Sequence, residues 1–244
     1  MKILVVFVAA VLLLPGAARA GDEEVCAVSD DLIQTDRPLP HAAEAIAAKH
    51  LDIVVVGSAS STLRVPQNAY PAQLQAELRR RLPDVAVEVK THIEPTAITA
   101  DMAAEFSKLL AEDKPALVIW QTGTADLMLG NDQEAFHDAL DKGIAALQAG
   151  GADVVVMNLQ YSPRTDPMTN AKDFADTMRM VAEDRNVPLF DRMGIMKYWN
   201  EEGTFDFYSM TNDGTTNRVH GCLGRLLADL VIGSAKPAEP KTGH

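Results

Sequence analysis

The chain has 244 residues, of which 22 are Lys or Arg and 34 are Asp or Glu, so its formal net charge at pH 7 is -12. This acidic excess argues against nucleic acid or an anionic lipid surface as the partner, because both reward clustered basic side chains. The length is sufficient for one well-buried α/β domain.

The amino-terminal sequence predicts a secretory signal. Lys2 precedes an apolar run over residues 3–14, and Ala18-Arg19-Ala20 forms a small-x-small cleavage pattern. Removing residues 1–20 leaves 20 basic and 34 acidic residues and a net charge of -14. We therefore expect a periplasmic or secreted protein without a membrane span, with an irregular lead-in at 21–40, a domain at 41–233 and a flexible tail at 234–244.

The two cysteines of the chain, Cys26 and Cys222, both lie in the expected mature protein. Because an exported protein meets an oxidising compartment, we predict a disulfide between them. The alternative is two independent buried thiols.

The interior alternates short apolar runs with amphipathic segments. In chain order, we predict five strands, at residues 53–56, 85–89, 117–120, 154–159 and 187–190. The helices between and after them are predicted at 72–82, 101–111, 133–149, 168–185 and 222–231. This alternation predicts a three-layer, flavodoxin-like α/β sandwich, whose five-stranded parallel sheet has the order 2-1-3-4-5 and helices on both faces.

Polar side chains follow several of the predicted strands. In open parallel sheets the ligand crevice lies beyond the carboxyl ends of the strands, which here are residues 57–64, 91–96, 121–131 and 159–166 and the closing loop 206–220. The first strand leads into Gly57-Ser58-Ala59-Ser60-Ser61. A serine on such a turn could act as a nucleophile beside backbone N–H groups, although the same residues would serve equally well as a helix cap. The closing loop holds Asp213, Asn217 and His220.

This order of Ser, Asp and His resembles the SGNH (GDSL-type) hydrolases, over about residues 50 to 232. The stretches that carry the resemblance are 53–62, Tyr70-Pro71-Ala72-Gln73-Leu74, 117–130, 154–161 and 221–230. The resemblance implies a serine ester hydrolase that acts on small acyl or acetyl esters, including those of carbohydrates. It implies no cofactor and no metal.

The sequence departs from the motifs of that family at each block. An ungapped match on Gly57 places Ala59 at the nucleophile position, whereas a shift of one or two residues places Ser60 or Ser61 there. The second block, residues 91–96, has no glycine. In the third block, Gly123-Thr124-Ala125, alanine stands where the family has the asparagine that donates to the oxyanion.

The last block, Asp-x-x-His in the family, has two alternative matches. Asn217-Arg218-Val219-His220 has the spacing but Asn in place of Asp, and in the family we expect the histidine several residues earlier. A match on Asp213-Gly214 instead places Thr216 at the histidine position.

Two hypotheses follow. In the first, Ser60, Ser58 or Ser61 attacks a small-molecule or glycan ester and His220 is the general base, oriented by Asp213 or Asn217. N–H groups after Gly57, with Gly123 and the Thr124 hydroxyl, would bind the oxyanion. In the second, a binding or accessory protein keeps the crevice without the triad, and its polar pocket groups are Arg64, Asp126, Tyr161 and Arg164. A serine of the turn within hydrogen-bond reach of His220 would favour the first hypothesis.

Overall fold

A five-stranded parallel sheet forms the centre of the protein. The computed structural model describes residues 25–33, 36–208 and 213–236. The predicted signal at 1–20 and residues 237–244 of the predicted tail lie outside the described residues. The strands are β1 (His50–Gly57), β2 (Ala86–Ile93), β3 (Leu117–Gln121), β4 (Asp153–Met157) and β5 (Leu189–Phe190), in the spatial order β2-β1-β3-β4-β5. All four neighbouring pairs are parallel, so the predicted fold class and strand order are confirmed.

Helices cover both faces of this sheet. Their bounds are α1 (Pro40–Ala47), α2 (Tyr70–Arg81), α3 (Thr99–Ala104), α4 (Phe106–Asp113), α5 (Thr124–Leu129), α6 (Gln133–Ala149), α7 (Ala171–Asp184), α8 (Arg192–Glu201) and α9 (Asp213–Ser234).

Alternate residues of β1 pack into two separate hydrophobic cores, one on each face of the sheet. Ile53 and Val55 pack with α2, α8 and α9 on one face, whereas Val54 and Val56 pack with α3, α4, α6 and α7 on the other. Successive side chains of a strand point to opposite faces, so a strand covered on both sides is apolar throughout. The strand ends are thereby held by packing on both faces, and the loops that follow them rest on a rigid base.

The structure differs from the prediction most at the carboxyl end. The closing helix α9 begins at Asp213, so Asn217 and His220 lie on a helix and not on a loop before it. Its first turns, which contain Thr215, Thr216 and Asn217, look polar and loop-like in sequence. Burial of Val219, His220 and Leu223 nevertheless stabilises these first turns as a helix, because tertiary packing overrides local propensity.

Helix boundaries elsewhere also shift. The helix predicted at 101–111 is two short helices, because the backbone tightens at Glu105, whose N–H donates to the Met102 carbonyl three residues back. The short helices α1, α5 and α8 were not predicted. The Asp191 side chain caps α8 by accepting from the Gly194 N–H at 2.9 Å, and Gly123 opens α5 in the left-handed conformation.

The predicted disulfide is present and joins Cys26 to Cys222. It ties the amino-terminal segment to α9, across 196 residues of sequence. Within the described part of the chain, no helix combines the length and the apolar character needed to cross a membrane.

Candidate functional site

The turn after β1 is a single 3-10 turn over Ala59–Ser61, closed by the Ser61 N–H donating to the Ser58 carbonyl at 2.9 Å. Ser58 and Ser61 are buried, Ser60 is partly exposed and Ala59 is exposed. Gly57 permits this tight turn, because a Cβ added there would lie 2.3 Å from Ser61 Oγ. The residue at the ungapped nucleophile position, Ala59, therefore faces solvent and carries no hydroxyl.

Four donors of the turn converge on one atom, Oε1 of Gln121 at the end of β3. The Ser58 N–H lies at 3.1 Å from it, and the hydroxyls of Ser58, Ser60 and Ser61 lie at 3.2, 3.2 and 2.8 Å. Gln121 is fully buried, and its Nε2 has no partner. An amide oxygen accepts hydrogen bonds but does not act as a general base at neutral pH. Each serine hydroxyl thus lies within hydrogen-bond distance of an acceptor that does not remove its proton.

Arg192, the first residue of α8, reaches from the β5 side of the sheet to this turn. Its Nη1 donates to Ser60 Oγ at 3.0 Å, and its Nη2 donates to the Ser60 carbonyl at 3.1 Å and to Gln160 Oε1 at 2.9 Å. The side chain is only 1% exposed, and its guanidinium lies 6.0 Å from the centre of the Tyr70 ring. Arg192 therefore links the ends of β1, β4 and β5.

His220 lies on α9 and is connected to the serine turn through Tyr70. Its Nδ1 accepts the backbone N–H of Tyr70 at 3.1 Å, and its ring stacks on the Tyr70 ring with the centres 6.0 Å apart. The Tyr70 hydroxyl in turn lies 2.9 Å from Ser61 Oγ. Among these described residues, no hydrogen bond joins His220 to Ser58, Ser60 or Ser61. Tyr70 separates the predicted base from the predicted nucleophiles.

Burial sets the protonation of this group of residues. Burial, helped by the positive Arg192, lowers the pKa of His220 to about 3, so the imidazole is neutral at pH 7. Burial also lowers the pKa of Arg192 to about 10, which still leaves the guanidinium charged at neutral pH. Burial raises the pKa of Tyr70 above its usual 10.0. The net result at pH 7 is one buried positive charge among neutral polar groups.

The third block does not supply an oxyanion donor to the serine turn. Gly123 is left-handed with φ 88°, and the Thr124 hydroxyl points toward β4, where it accepts the Gln160 N–H at 3.5 Å. Asp126 is buried, and its two oxygens accept from Thr99 and Asn131. Asp126 thus fastens the start of α3 to the loop after α5, which is a structural role.

The remaining predicted groups are placed as follows. Asp213 is the first residue of α9, and its side chain lies outside the described part of the structure. Tyr161 is buried against Phe207 in the core, and Arg164 Nη2 donates to the Tyr208 carbonyl. Arg64 is exposed. The structure thus brings the three serines together with Gln121, while Tyr161 and Arg164 join the loop after β4 to the segment before α9.

Sequence reasoning missed Arg192 and the role of Gln121. Gln121 was visible as a polar residue at the end of an apolar strand, the kind of position where crevice groups occur. Arg192 lies two residues after the end of β5, so the same rule applies to it. Its reach across the sheet to Ser60 is a tertiary property that no sequence spacing encodes.

Comparisons with known proteins show the family and the fold of the chain. The model of the Non-GDSL lipase-like family matches residues 25–237. The crystal structure of TesA is similar with a TM-score of 0.57 and 23% identity, over 73% of this chain and 99% of that chain. No curated protein sequence gave a match.

Two esterase structures show the same fold. The psychrotrophic esterase EstA from Pseudoalteromonas sp. has a TM-score of 0.58 and 18% identity, over 74% of this chain and 96% of that one. A catalytic mutant of Axe2, an acetylxylan esterase from Geobacillus stearothermophilus, has a TM-score of 0.63 and 14% identity, over 78% and 97%. The resemblance to SGNH-type hydrolases predicted from the sequence is confirmed, and the chain belongs to the Non-GDSL lipase-like family.

Proposed function

We propose that this protein binds a ligand in the strand-end crevice of the SGNH fold without hydrolysing it. One observation carries the proposal: the hydroxyls of Ser58, Ser60 and Ser61 all lie within 3.2 Å of Gln121 Oε1, and none is bonded to His220. Nucleophilic catalysis by serine needs a base within hydrogen-bond reach that takes the hydroxyl proton. Neither Gln121 nor the guanidinium of Arg192 is such a base.

The nucleophile and the oxyanion donor, which the family motifs supply and this chain lacks at the matched positions, act in the same step of ester hydrolysis, the attack on the ester carbonyl. In the ungapped match the family nucleophile position is Ala59, the oxyanion asparagine position is Ala125, and the Thr124 hydroxyl points toward Gln160. One lost oxyanion donor costs a serine hydrolase roughly 3 kcal/mol in transition-state stabilisation. Members of a triad act as a unit, so a missing nucleophile–base contact removes most of the rate by itself.

A fluorophosphonate probe tests the proposal directly, because it forms an adduct only with an activated serine. The mature wild-type protein and the Ser60→Ala variant are treated in parallel and read by intact mass. We expect no adduct on either protein, and no hydrolysis of p-nitrophenyl acetate above the rate of Ser60→Ala. A stoichiometric adduct on wild type that disappears in Ser60→Ala would contradict the proposal.

A second candidate function is a serine ester hydrolase for small acyl or acetyl esters, including those on carbohydrate. The observation that favours it is the 3.0 Å contact from Arg192 Nη1 to Ser60 Oγ, since Ser60 is partly exposed and a guanidinium stabilises a developing alkoxide. Two similar structures belong to esterases. In the probe experiment above, this candidate predicts the Ser60-dependent adduct.

We also propose that the mature protein begins near Gly21 and acts in the periplasm or outside the cell. The basic, apolar and small-residue pattern of residues 1–20 supports this, as does the disulfide between Cys26 and Cys222, since cytosolic disulfides are rare. Amino-terminal sequencing of the protein from fractionated cells tests it. A full-length chain that starts at Met1 in the cytosolic fraction would contradict it.

A further inference from the structure

A cavity of about 320 Å³ lies between α2, α9 and the amino-terminal segment. The charged side chains of its lining are three arginines and one glutamate, namely Arg80, Arg218, Arg225 and Glu77. The chain as a whole has a net charge of -12, so the sign of this cavity is opposite to that of the protein. Ligand pockets have volumes of about 300–1,000 Å³, and this cavity therefore has room for a small ligand.

One face of α9 forms a wall of the cavity. Arg218, Gly221 and Arg225 line it, and their spacing of three and four residues places them on the same side of the helix. A Cβ added to Gly221 would meet nothing within 4 Å, which is a separate indication that this side of α9 is open. Cys222 also lines the cavity, and its disulfide with Cys26 holds the amino-terminal segment beside it. The cavity is therefore bounded by a helix and by a segment that is covalently tied to that helix.

The positive charge of the cavity is only partly balanced. Glu77, the one carboxylate among its lining residues, accepts hydrogen bonds from Arg80 Nε at 3.0 Å and from Arg81 Nε at 2.8 Å. Arg218 and Arg225 are not paired in this way, because no carboxylate in the described part of the chain is within ion-pair distance of either. Two positive charges on one face of α9 thus have no negative partner there.

Both of these arginines have donors that the protein does not use. Nη1 of Arg225 is buried and has no hydrogen-bond partner among the described residues, although the residue as a whole is partly exposed. A buried donor without a partner is rare in proteins, and a bound ion or water is one explanation for it. Arg218 is exposed, and its guanidinium lies 5.2 Å from the centre of the Phe205 ring. Stacking on a ring occupies the face of a guanidinium and leaves its in-plane N–H groups for an anion.

We propose that this cavity binds phosphate, as the free ion or as a small phosphate monoester, with the guanidinium groups of Arg218 and Arg225 as the donors. A phosphate monoester carries a charge of about -1.5 to -2 at pH 7, which matches two unbalanced arginines. The planar fork of a guanidinium also matches the spacing of phosphate oxygens. Neither Gln121 nor Arg192 is among the residues that line the cavity, so this site does not depend on the proposed function.

Calorimetric titration of the disulfide-bonded protein with three probes tests the charge of the ligand and its source. Inorganic phosphate is the free ion, glucose 6-phosphate is a monoester, and glucose is the neutral counterpart of that ester. We expect one-to-one binding of a phosphate probe and no binding of glucose. Tighter binding of the ester would identify a phosphate monoester as the ligand, and tighter binding of inorganic phosphate would identify the free ion. Absence of binding by both phosphate probes, or equal affinity for glucose and glucose 6-phosphate, would overturn the proposal.

Variants assign the binding to the two arginines. Arg218→Gln and Arg225→Gln should each lower the affinity for the phosphate probe about tenfold or more, because a hydrogen bond to a charged group contributes that much. Arg79→Gln is the matched control, since it removes the same charge from an arginine of α2 that donates to the Val87 carbonyl and does not line the cavity. It should leave the affinity nearly unchanged. An equal loss in all three variants would show a general effect of charge and would overturn the assignment.

Gly221→Ala separates binding from folding. Its methyl group would enter the open space beside α9, so we expect the affinity for the phosphate probe to fall severalfold. The same substitution should make the protein more resistant to urea, because alanine is the better helix former. Weaker binding by a more stable protein is a result that misfolding does not produce. A variant that is more stable than wild type and binds phosphate equally well would overturn the placement of the site.

Discussion

The backbone N–H of Tyr70 donates to Nδ1 of His220 at 3.1 Å, inside a contact between α2 and α9 where the histidine is only 5% exposed. The imidazole thus serves as a hydrogen-bond acceptor for the first residue of a helix. Accepting this bond requires an unprotonated Nδ1, so the same contact that anchors α2 disfavours the charged form of His220.

Stability should therefore fall as the pH is lowered. The pKa of folded His220 is lowered to about 3, against an ordinary value of 6.5, so between these values the unfolded chain binds a proton that the folded chain does not. The stabilising contribution is complete above pH 6.5 and is lost as the pH falls toward 3. Between pH 7.5 and pH 5 this linkage amounts to about 2 kcal/mol.

Urea unfolding of wild type and His220→Asn at pH 7.5 and at pH 5 isolates the contribution of His220 to the free energy of unfolding. Asparagine keeps an acceptor oxygen near the Nδ1 position but does not titrate, so the variant should lose less stability than wild type on acidification. His137→Asn, at an exposed histidine, serves as the control. Identical pH dependence in wild type and His220→Asn would show that His220 does not carry the effect.

Gln121 should be required for the stability of the serine turn. Gln121→Leu keeps the size of the side chain but leaves the buried Ser58 N–H and the Ser58 and Ser61 hydroxyls without their shared acceptor. The Ser61 hydroxyl keeps the Tyr70 hydroxyl as a partner, so the two groups of Ser58 are orphaned. Each orphaned buried group costs about 1–3 kcal/mol, so we expect a total loss of about 2–6 kcal/mol in the free energy of unfolding.

Gln121→Glu is the matched variant for this position. It keeps an acceptor oxygen, replaces the unpartnered Nε2 with a second oxygen, and adds a negative charge close to Ser60 and Arg192. It should be clearly more stable than Gln121→Leu in urea unfolding at pH 7.5. If the two variants unfold at the same urea concentration, the convergence of donors on Oε1 is not what holds the turn.

Restoring one family residue should not restore catalysis. Ala125→Asn reintroduces the amide donor of the third block, and in an otherwise intact serine hydrolase such a donor is worth about 10²–10³ in rate. Here the serine hydroxyls still lie against Gln121 and not against His220, so we expect no increase in p-nitrophenyl acetate hydrolysis. Ala59→Ser combined with Ala125→Asn should also stay at background, because His220 remains bonded to the Tyr70 N–H. A gain of about 10² from Ala125→Asn alone would show a working nucleophile and base.

Four of the five strands of this fold were predictable because each is a short apolar run, and β2 was predictable from the alternation of Val85, Val87 and Val89 with polar residues and alanine. The fully buried segments Leu117–Gln121 and Asp153–Met157 belong to a sheet covered on both faces, and such strands need no alternation of polar residues. Their parallel order follows from the helices between them. The strand-end location of the serines follows from the same pattern.

The relation of His220 to the serines was not predictable, because it depends on where α9 starts and how it packs. The sequence places His220 close to the end of a loop, whereas the helix that begins at Asp213 places it against Tyr70. Arg192 is a similar case, since its contact with Ser60 spans 132 residues of sequence. Sequence patterns specify elements well, but contacts between side chains of distant elements arise only from packing.

Removing the disulfide should destabilise the protein without changing its sheet. The bond between Cys26 and Cys222 closes a loop of 196 residues of sequence separation, and the chain-entropy model assigns about 5 kcal/mol to a loop of that size. We expect Cys26→Ala/Cys222→Ala to unfold at lower urea concentration and to retain its far-ultraviolet circular dichroism. Unchanged unfolding with and without reducing agent would contradict a stabilising bridge.

The packing of α9 on α2 can be tested with two glycines of the same helix. A Cβ on Gly224 would lie 2.8 Å from the backbone nitrogen of Leu74 and 2.6 Å from the Cβ of Gln73, so the two helices would have to move apart. A Cβ on Gly221 would meet nothing within 4 Å. Alanine in a helix is more stable than glycine by about 0.5–1 kcal/mol when no clash opposes it.

Gly224→Ala should therefore lower the free energy of unfolding by about 1–3 kcal/mol, the usual cost of overpacking. Gly221→Ala should raise it by about 0.5–1 kcal/mol. Both are measured by urea unfolding under the same conditions, so the two variants share the chemical change and differ only in the neighbouring backbone. Because α9 carries His220, the clash at Gly224 should also weaken the contact of His220 with Tyr70 and reduce the pH dependence described above. Equal effects of the two substitutions would show that the helices are not held at the close approach seen between Gly224 and Leu74.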